Sequence, residues 1–469
     1  MAEVWIDGRA VTTPRGYPVY NKYRQTVIGE AGEADADTIR LAVDSAEHAQ
    51  RHSISVHERA RILERTADLL QAEHEMLARL ISQEAGKPLK DAKAEVSRGQ
   101  QTLRYAAVAT RTLHGEEVPV RGNPGSENRL AFTLRKPYGT VLAITPFNFP
   151  LNLVLHKVAP AIAGGNAVIL KPAVQTPLTA MKLAAIMTEA GLPKGWLNVL
   201  TASGPELGQE LVAHRGIQLI SFTGSQTVGQ DIRSHAGIKP VILELGNNSA
   251  NIVHQDADLD LAARTLAARA FGYAGQVCIA VQRIYVQRQI FETFQDKLIR
   301  ASSALMVGDP EDPRTDVGPM ISLDAATRAW SWYTEALDQG AKAVLSPERN
   351  GALITPAVLV DVEPSMRVMA EEVFAPLAGL VPYDDIEEAI EWANESRYGL
   401  QAGVFTTSLS VAMTCAEKLQ VGGVIINDSS SYRADNMPYG GVKDSGLGRE
   451  GPEYAILEMT YPRVVVFNL

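Results

Sequence analysis

The sequence contains little cysteine. Its 469 residues include two, Cys278 and Cys415. Two thiols cannot form a disulfide framework or a four-thiolate zinc site, and we identify no metal site. A reducing compartment is the simplest interpretation, so we expect a cytoplasmic protein. The first residues contain no apolar segment of the kind found in secretory signals, which agrees with that expectation.

Clustered positive charge is also missing. Lys and Arg number 44 against 54 Asp and Glu, which gives a net charge of −10. Nucleic acids and anionic membranes are bound through clustered cations, so we expect neither as a partner. The longest uncharged stretches, 138–156 and 398–416, are interrupted by Gly and by polar residues. They would leave polar groups unpaired in lipid, so we predict strands and helices inside a globular protein.

From residue 138 onward the sequence alternates between strand and helix patterns. Short apolar runs at 140–144, 167–170, 197–200 and 219–222 are separated by single helical segments, and the pattern recurs after residue 247. This alternation predicts an α/β protein with parallel sheets, which bind ligands at the carboxyl ends of their strands. The length suits two or three domains.

Cys278 lies in a turn between a predicted helix and a predicted strand, where a thiol can face a cleft. A lone cysteine is more often a small core residue, the interpretation we keep for Cys415. Six motifs around Cys278 argue for chemistry instead, mostly because they place polar groups or glycine turns at strand ends. They are T-P-F-N-F-P at 145–150, V-I-L-K-P at 168–172, F-T-G-S at 222–225, L-E-L-G at 243–246, E-E-V-F-A-P at 371–376 and Y-G-G-V-K-D-S-G at 439–446.

Together with G-Q-V-C at 275–278, these motifs resemble the NAD(P)-dependent aldehyde dehydrogenase superfamily over essentially the whole chain. The segment 427–438 looks most like the lactaldehyde dehydrogenase branch. The resemblance implies a Rossmann-like cofactor domain (1–115 and 138–246), an α/β catalytic domain (247–445) and a small β bridging element (116–137 and 446–469). It also implies a homodimer or homotetramer, as does the exposed strand edge that we expect in the bridging element.

The resemblance further implies oxidation of an aldehyde to a carboxylate through a cysteine thioester that water hydrolyses. Cys278 would be the nucleophile, and the Asn148 side chain with the Cys278 N–H would hold the oxyanion. Glu244 would be the base for water, and its presence favours hydrolysis over transfer to coenzyme A. Glu450 matches a position suggested as a second acid or proton relay. The alternatives are a non-catalytic protein on the same fold and a cofactor-free cysteine hydrolase, which would need a histidine base.

For the cofactor, the resemblance implies that Ser225 binds the pyrophosphate, with Gly224 and Gly229 allowing close approach. Lys171 would face the adenine ribose, and Glu372 the nicotinamide ribose. The remaining cofactor positions carried over are Thr145, Phe147, Val174 and Phe374. NAD-preferring members usually have a glutamate where this chain has Val174. A carboxylate there would repel a 2′-phosphate, so we expect NADP, with NAD as the alternative.

The substrate positions implied by the resemblance are Leu153, His156, Val277, Ile279, Ser431 and Arg433. His156 stands where family members have a tryptophan, and Arg433 where they have a phenylalanine. We therefore expect a wet, cationic mouth that suits a small 2-hydroxy or anionic aldehyde. The alternative substrate is succinic semialdehyde. Enzymes acting on it typically carry arginine at the position of His156 and often another at that of Gly272. The absence of both arginines argues against this substrate, although Arg433 could compensate.

Overall fold

The computed structural model describes residues 2–469, which form 22 β-strands and 15 α-helices. The strands, in chain order, are β1 (Glu3–Ile6), β2 (Arg9–Thr12), β3 (Gly16–Tyr20), β4 (Val27–Gly32), β5 (Glu117–Val118), β6 (Arg129–Pro137), β7 (Thr140–Ile144), β8 (Ala167–Lys171), β9 (Leu197–Val199), β10 (Leu219–Thr223), β11 (Val241–Glu244), β12 (Ala250–Val253), β13 (Arg283–Gln287), β14 (Lys342–Leu345), β15 (Arg349–Asn350), β16 (Leu353–Ile354), β17 (Ala357–Val360), β18 (Leu377–Tyr383), β19 (Gln401–Phe405), β20 (Gly423–Ile426), β21 (Gly446–Leu447) and β22 (Thr460–Asn468).

The helices are α1 (Ala36–Gln50), α2 (Val56–Ala72), α3 (His74–Ala85), α4 (Leu89–Thr112), α5 (Asn152–Gly164), α6 (Pro177–Glu189), α7 (Glu206–Ala213), α8 (Gln226–His235), α9 (Leu259–Phe271), α10 (Phe291–Ser303), α11 (Leu323–Asp338), α12 (Arg367–Ala370), α13 (Ile386–Asn394), α14 (Leu409–Lys418) and α15 (Pro452–Glu458). Among residues 2–469, no helix is both long enough and apolar enough to cross a membrane.

The first sheet has eight strands in the order β2-β1-β9-β8-β7-β10-β11-β21. Its five central strands run parallel, and they read as continuous apolar segments because helices cover both faces. The chain order reverses between β7 and β10. The loops after these two strands, at Thr145 and Gly224, therefore open into one crevice, which is where such sheets bind ligands.

The second sheet has seven strands in the order β14-β17-β18-β13-β12-β19-β20, all parallel except β14. Apolar clusters fill both of its faces. Cys278 lies between the short turn Gly272–Gly275 and β13, at the edge of this sheet that faces the first one. The predicted α/β class with two parallel sheets is confirmed.

The third sheet is small and has the order β22-β6-β5. Strand β22 pairs with β6 from Thr460 opposite Pro137 to Asn468 opposite Arg129. The segment 446–469, which we assigned as a whole to the bridging element, is divided between two regions. Only β22 joins the third sheet, because β21 pairs with β11 of the first sheet and α15 packs on α5. The other domain bounds stay a prediction.

Candidate active site

A cleft of about 1340 Å³ opens at the carboxyl ends of the central strands of the first sheet. It extends from the start of α8 to the loop that carries Cys278. Most of the residues predicted to bind the cofactor line it, together with three predicted for catalysis or substrate. These residues are Thr145, Phe147, Lys171, Val174, Gly224, Ser225, Glu372 and Phe374, with Asn148, Leu153 and Cys278.

Gly229 does not line the cleft, in contrast to its predicted role. A Cβ atom at this position would lie 2.5 Å from Cδ2 of Leu245. The glycine therefore allows α8 to pack against the end of β11. Ser225 is the N-cap of α8 and accepts a hydrogen bond from the N–H of Val228 at 3.4 Å. The start of α8 faces the cleft and presents free amide groups that suit an anion.

The loop before Cys278 has an unusual backbone. Tyr273, Ala274 and Gly275 are all left-handed, with φ of 51°, 53° and 66°. A side chain at Gly275 would meet the carbonyl oxygen of Ala375 at 2.3 Å, so only glycine fits. Gln276 anchors the loop because its Oε1 accepts a hydrogen bond from the Ile321 N–H at 2.8 Å. Such strain occurs mostly where surrounding structure fixes a functional residue.

The Cys278 thiol is free, and its Sγ lies 3.0 Å from the hydroxyl of Tyr439. Burial raises the pKa of this thiol to about 12, against the opposing effects of Tyr439 and Arg433. Asn148 donates from Nδ2 to the carbonyl of Gln276 at 2.8 Å, while its Oδ1 has no partner in the described part of the chain. One N–H of the Asn148 amide therefore stays available at the cleft.

Glu244 ends β11, and both of its carboxylate oxygens are buried without a hydrogen-bond partner among residues 2–469. Burial, followed by the nearby charge of Glu450, raises the pKa of this carboxyl well above its ordinary value. Gly440 lies against it, since a Cβ there would be 3.0 Å from Oε1 of Glu244. A buried carboxylate with a raised pKa is a suitable proton acceptor near neutral pH.

Glu450 is fixed by two cations on the side of Cys278 away from the cleft. Its Oε1 accepts a hydrogen bond from Lys157 Nζ at 2.8 Å, and its Oε2 accepts one from Arg433 at 3.0 Å. Burial opposes the charge on Glu450, but Lys157 and Arg433 outweigh it and hold the pKa of this carboxyl well below its usual range. Because its pKa is low, Glu450 is better suited to act as a fixed negative charge than as a proton donor.

The side chains of His156 and Arg433 are 0% and 6% exposed, so the expected wet, cationic mouth is wrong. His156 Nε2 lies 2.9 Å from Oδ1 of Asp435, which Arg98 also binds through two hydrogen bonds of 3.0 and 2.8 Å. Burial, followed by the charge of Arg433, lowers the pKa of His156 and so favours its neutral form. His156 is not solvated because α5 is buried along its whole length, and the Arg433 guanidinium is held inside by the Glu450 carboxylate.

Of the other predicted substrate residues, Leu153 lines the cleft. Val277, Ile279 and Ser431 lie outside it and form a wall beside Cys278. Ile279 packs with Leu400 and Tyr439, and Val277 contacts this cluster. The hydroxyl of Ser431 donates to the carbonyl of Ile279 at 2.7 Å, so its proton already has a partner.

Sequence reasoning missed Tyr439, Lys157 and Asp435, whose side chains contact the predicted site residues. Tyr439 stands inside a recognised motif, but nothing in its spacing from Cys278 indicates that the two side chains meet. Lys157 follows His156 on α5, a helix whose other residues are almost all apolar. Two ionisable residues in such a helix are the only signal that could have indicated that each has a buried partner.

Residues 5–465 match the aldehyde dehydrogenase family. The chain belongs to that family. It is therefore an NAD(P)-dependent oxidoreductase, as the resemblance implied. The chain is 49% identical to a 3-sulfolactaldehyde dehydrogenase of Priestia aryabhattai, over 99% of this chain and 98% of that protein. It is 38% identical to a lactaldehyde dehydrogenase of Methanococcus maripaludis, over 99% and 100%.

A solved structure shares the whole architecture. The glyceraldehyde-3-phosphate dehydrogenase of Methanocaldococcus jannaschii, complexed with NADP, superposes with a TM-score of 0.93 at 40% identity, and the match covers 97% of this chain and 100% of that one.

Proposed function

We propose that this enzyme oxidises a small anionic 2-hydroxy aldehyde, such as 3-sulfolactaldehyde, to its carboxylate, with NADP as the preferred cofactor. The observation that carries the proposal is the position of the Cys278 thiol. The thiol closes one end of the cleft, and Lys171 and Ser225 lie at the other end. The buried guanidinium of Arg433 lies on the side of the thiol that faces away from the cleft. The 3-sulfolactaldehyde dehydrogenase at 49% identity supports the same substrate class.

The cleft fits a dinucleotide in size and in chemistry. Within the described part of the chain, no hydrogen bond or ion pair holds the ammonium of Lys171, and burial lowers its pKa. An unpaired, partly desolvated cation beside Val174 suits a 2′-phosphate, which supports NADP. Glu372 accepts a hydrogen bond from the Asn247 N–H at 3.1 Å, and burial raises its pKa to about 7. The bound cofactor supplies the hydride acceptor.

The side chains around Cys278 support a thioester route. The free N–H of Asn148 and the backbone N–H of Cys278 are the donors for an oxyanion on the substrate. Removal of one such donor typically costs about 10²–10³ in rate. Glu244, with both oxygens unpaired, would take the proton of the water that hydrolyses the thioester.

Arg433 is the group that would attract a negatively charged substrate. Lys157 and Arg433 share the single carboxylate of Glu450, so the three side chains carry one excess positive charge. The Nε of Arg433 is buried and has no partner among residues 2–469. A sulfonate or carboxylate on the substrate would balance the excess positive charge and would accept a hydrogen bond from Nε of Arg433. Succinic semialdehyde is the second candidate, because its carboxylate would use the same guanidinium.

The first test is a set of initial rates with NAD and NADP for 3-sulfolactaldehyde, lactaldehyde, succinic semialdehyde and propanal. We expect the highest kcat/KM for 3-sulfolactaldehyde with NADP and no activity in Cys278→Ala. In Arg433→Gln, kcat/KM for 3-sulfolactaldehyde should fall about 10–100-fold relative to lactaldehyde, the value of a lost charged hydrogen bond. Succinic semialdehyde as the best substrate with NAD would contradict the substrate and cofactor proposals together.

The third sheet supports a homodimer or homotetramer. In one protomer β22 is an edge strand, and it exposes Val464, Val466 and Phe467. An exposed apolar edge strand favours pairing with a second copy. Light scattering on a size-exclusion column would distinguish the two assemblies and would reveal a monomer, which contradicts the proposal. The two free cysteines support a cytoplasmic location.

A further inference from the structure

Tyr439 places its hydroxyl against the reacting atom of the site. The residue is 3% exposed, and the only hydrogen-bond partner of its hydroxyl among residues 2–469 is Sγ of Cys278, at 3.0 Å. A buried tyrosine hydroxyl normally finds a polar partner, and here that partner is the thiol of the proposed nucleophile. The aromatic ring packs beside Ile279 and Leu400.

Three contacts hold this ring in place. The backbone of Tyr439 exchanges hydrogen bonds with that of Glu450, at 3.1 and 2.6 Å. The guanidinium carbon of Arg433 lies 3.7 Å from the centre of the Tyr439 ring, and the same guanidinium donates to the Glu450 carboxylate. Tyr439, Arg433 and Glu450 therefore form a closed set of contacts. Movement of the ring away from the sulfur would disturb its contact with Arg433, which belongs to a buried ion pair.

We propose that Tyr439 is a catalytic residue whose hydroxyl donates a hydrogen bond to the Cys278 thiolate, and that Arg433 positions it. The hydrogen bond stabilises the reactive, charged form of the sulfur and fixes its direction. This inference deepens the proposed function, because it rests on Cys278 being the nucleophile.

The direction of the hydrogen bond follows from the acidity of the two groups. Burial raises the pKa of Tyr439 well above its ordinary value, as does the neighbouring Cys278, so the phenol keeps its proton. A thiolate can only accept. Hydrogen bonds to a charged group are stronger than those between neutral groups, so the contact favours the thiolate over the thiol.

Four titratable or charged groups act on the Cys278 thiol. Tyr439 and Arg433 lower its pKa, while Glu372 and Glu244 raise it. The two carboxylates come from different segments, one after α12 and one at the end of β11, and both oppose thiolate formation. Tyr439 and Arg433 are therefore the side chains of this set that make the buried sulfur easier to ionise.

The test is the alkylation rate of Cys278 by iodoacetamide as a function of pH, in the full-length protein without aldehyde or cofactor. Peptide mass spectrometry separates Cys278 from Cys415. In Tyr439→Phe, which removes only the hydroxyl, we expect the alkylation rate at each pH from about 7 to 9 to fall about tenfold, because a thiol pKa higher by about one unit leaves about one tenth of the thiolate. The matched control is Tyr383→Phe, whose hydroxyl donates to the carbonyl of Val253 at 3.4 Å in the second sheet.

The positioning role of Arg433 is tested by a double-variant cycle. Arg433→Gln should also lower this rate, and the double variant with Tyr439→Phe should lower it by less than the product of the two single factors. An unchanged or higher rate in Tyr439→Phe overturns the catalytic role, and single effects that multiply in the double variant overturn the positioning role. Thermal unfolding of each variant identifies a misfolded protein, in which case alkylation is repeated within the folded temperature range of Tyr439→Phe, with the wild type at the same temperature. A lowered alkylation rate without turnover of any aldehyde contradicts only the proposed function.

Discussion

The two sides of Cys278 are built in opposite ways. On the cofactor side lies a wide cleft, in which Lys171 has no partner in the described chain and Ser225 starts a helix that faces open space. On the other side, Lys157, Arg433 and Glu450 are buried and hold one another in place. The cofactor side therefore has an unpaired charge and enough volume for a large ligand. The other side offers a ligand only one unpaired guanidinium nitrogen and one excess positive charge.

This difference predicts that Lys171 is available to a ligand, whereas Lys157 maintains the fold. A buried ion pair contributes little net stability, but loss of one partner leaves an uncompensated charge. Lys157 has such a partner and Lys171 does not. We therefore expect variants on the cofactor side to change the kinetics and keep the stability of the protein. Variants on the other side should lower its stability.

The largest effect is expected for Glu244→Gln, at the border between the two sides. If Glu244 is the base for water, kcat should fall about 10²–10⁴-fold. Stability should change in the other direction. Because burial raises the pKa of this carboxyl, the folded protein binds its proton more tightly than the unfolded chain, so the wild type loses stability as pH rises above about 4.5. The variant lacks that loss.

The melting temperature of Glu244→Gln, compared with that of the wild type, should therefore increase from pH 5 to pH 8 (about the range in which a raised carboxyl pKa acts). Glu453→Gln, a change at an exposed carboxylate in α15, is the control for an altered net charge. A difference in melting temperature that is constant with pH would mean that Glu244 does not hold a raised pKa in the folded protein.

The next effect compares the two lysines. Lys157→Met leaves Glu450 with Arg433 alone and should destabilise the fold by about 3–5 kcal/mol, measured by denaturant unfolding. Lys171→Met should not destabilise it, since no ion pair is lost, but should raise the KM for NADP about 10–100-fold. Equal stability losses in the two variants would show that the contrast between the two sides is false.

A smaller effect is expected from Val174→Glu on the cofactor side. A carboxylate at this position would face the 2′-phosphate region beside Lys171, and we expect the ratio of kcat/KM for NADP to that for NAD to fall at least about tenfold. Val174→Gln is the matched control, because it has the same size without the charge. If both variants change the ratio equally, size and not charge at residue 174 controls cofactor choice.

The sequence predicts the cofactor side better than the side behind Cys278. The family resemblance carried by the motifs assigned Ser225, Lys171 and Glu372 to the cofactor, and all three line one cleft. Gly229 shows the limit, because its contact with Leu245 depends on how α8 crosses the sheet.

Behind the cysteine, the relevant contacts join residues far apart in the chain. His156 meets Asp435, and Lys157 meets Glu450, across almost 300 residues. Charge patterns within a helix do not reveal such partners. Sequence analysis therefore identified His156 and Arg433 as unusual, but interpreted them as solvated when each was paired inside the molecule.

The smallest effect is expected for Ser431→Ala, in the wall beside Cys278. The hydroxyl of Ser431 donates to the Ile279 carbonyl, which also accepts a hydrogen bond from Ser430 at 3.0 Å, so one bond to this carbonyl remains in the variant. We expect a stability loss of about 0.5–1.5 kcal/mol and a similar small change in kcat/KM for every aldehyde. Ser430→Ala should cost more stability, because that hydroxyl also accepts from Asn251 at 3.1 Å. A selective loss for 2-hydroxy aldehydes in Ser431→Ala would instead mean that the serine turns toward the substrate, which would extend the recognition surface beyond Arg433.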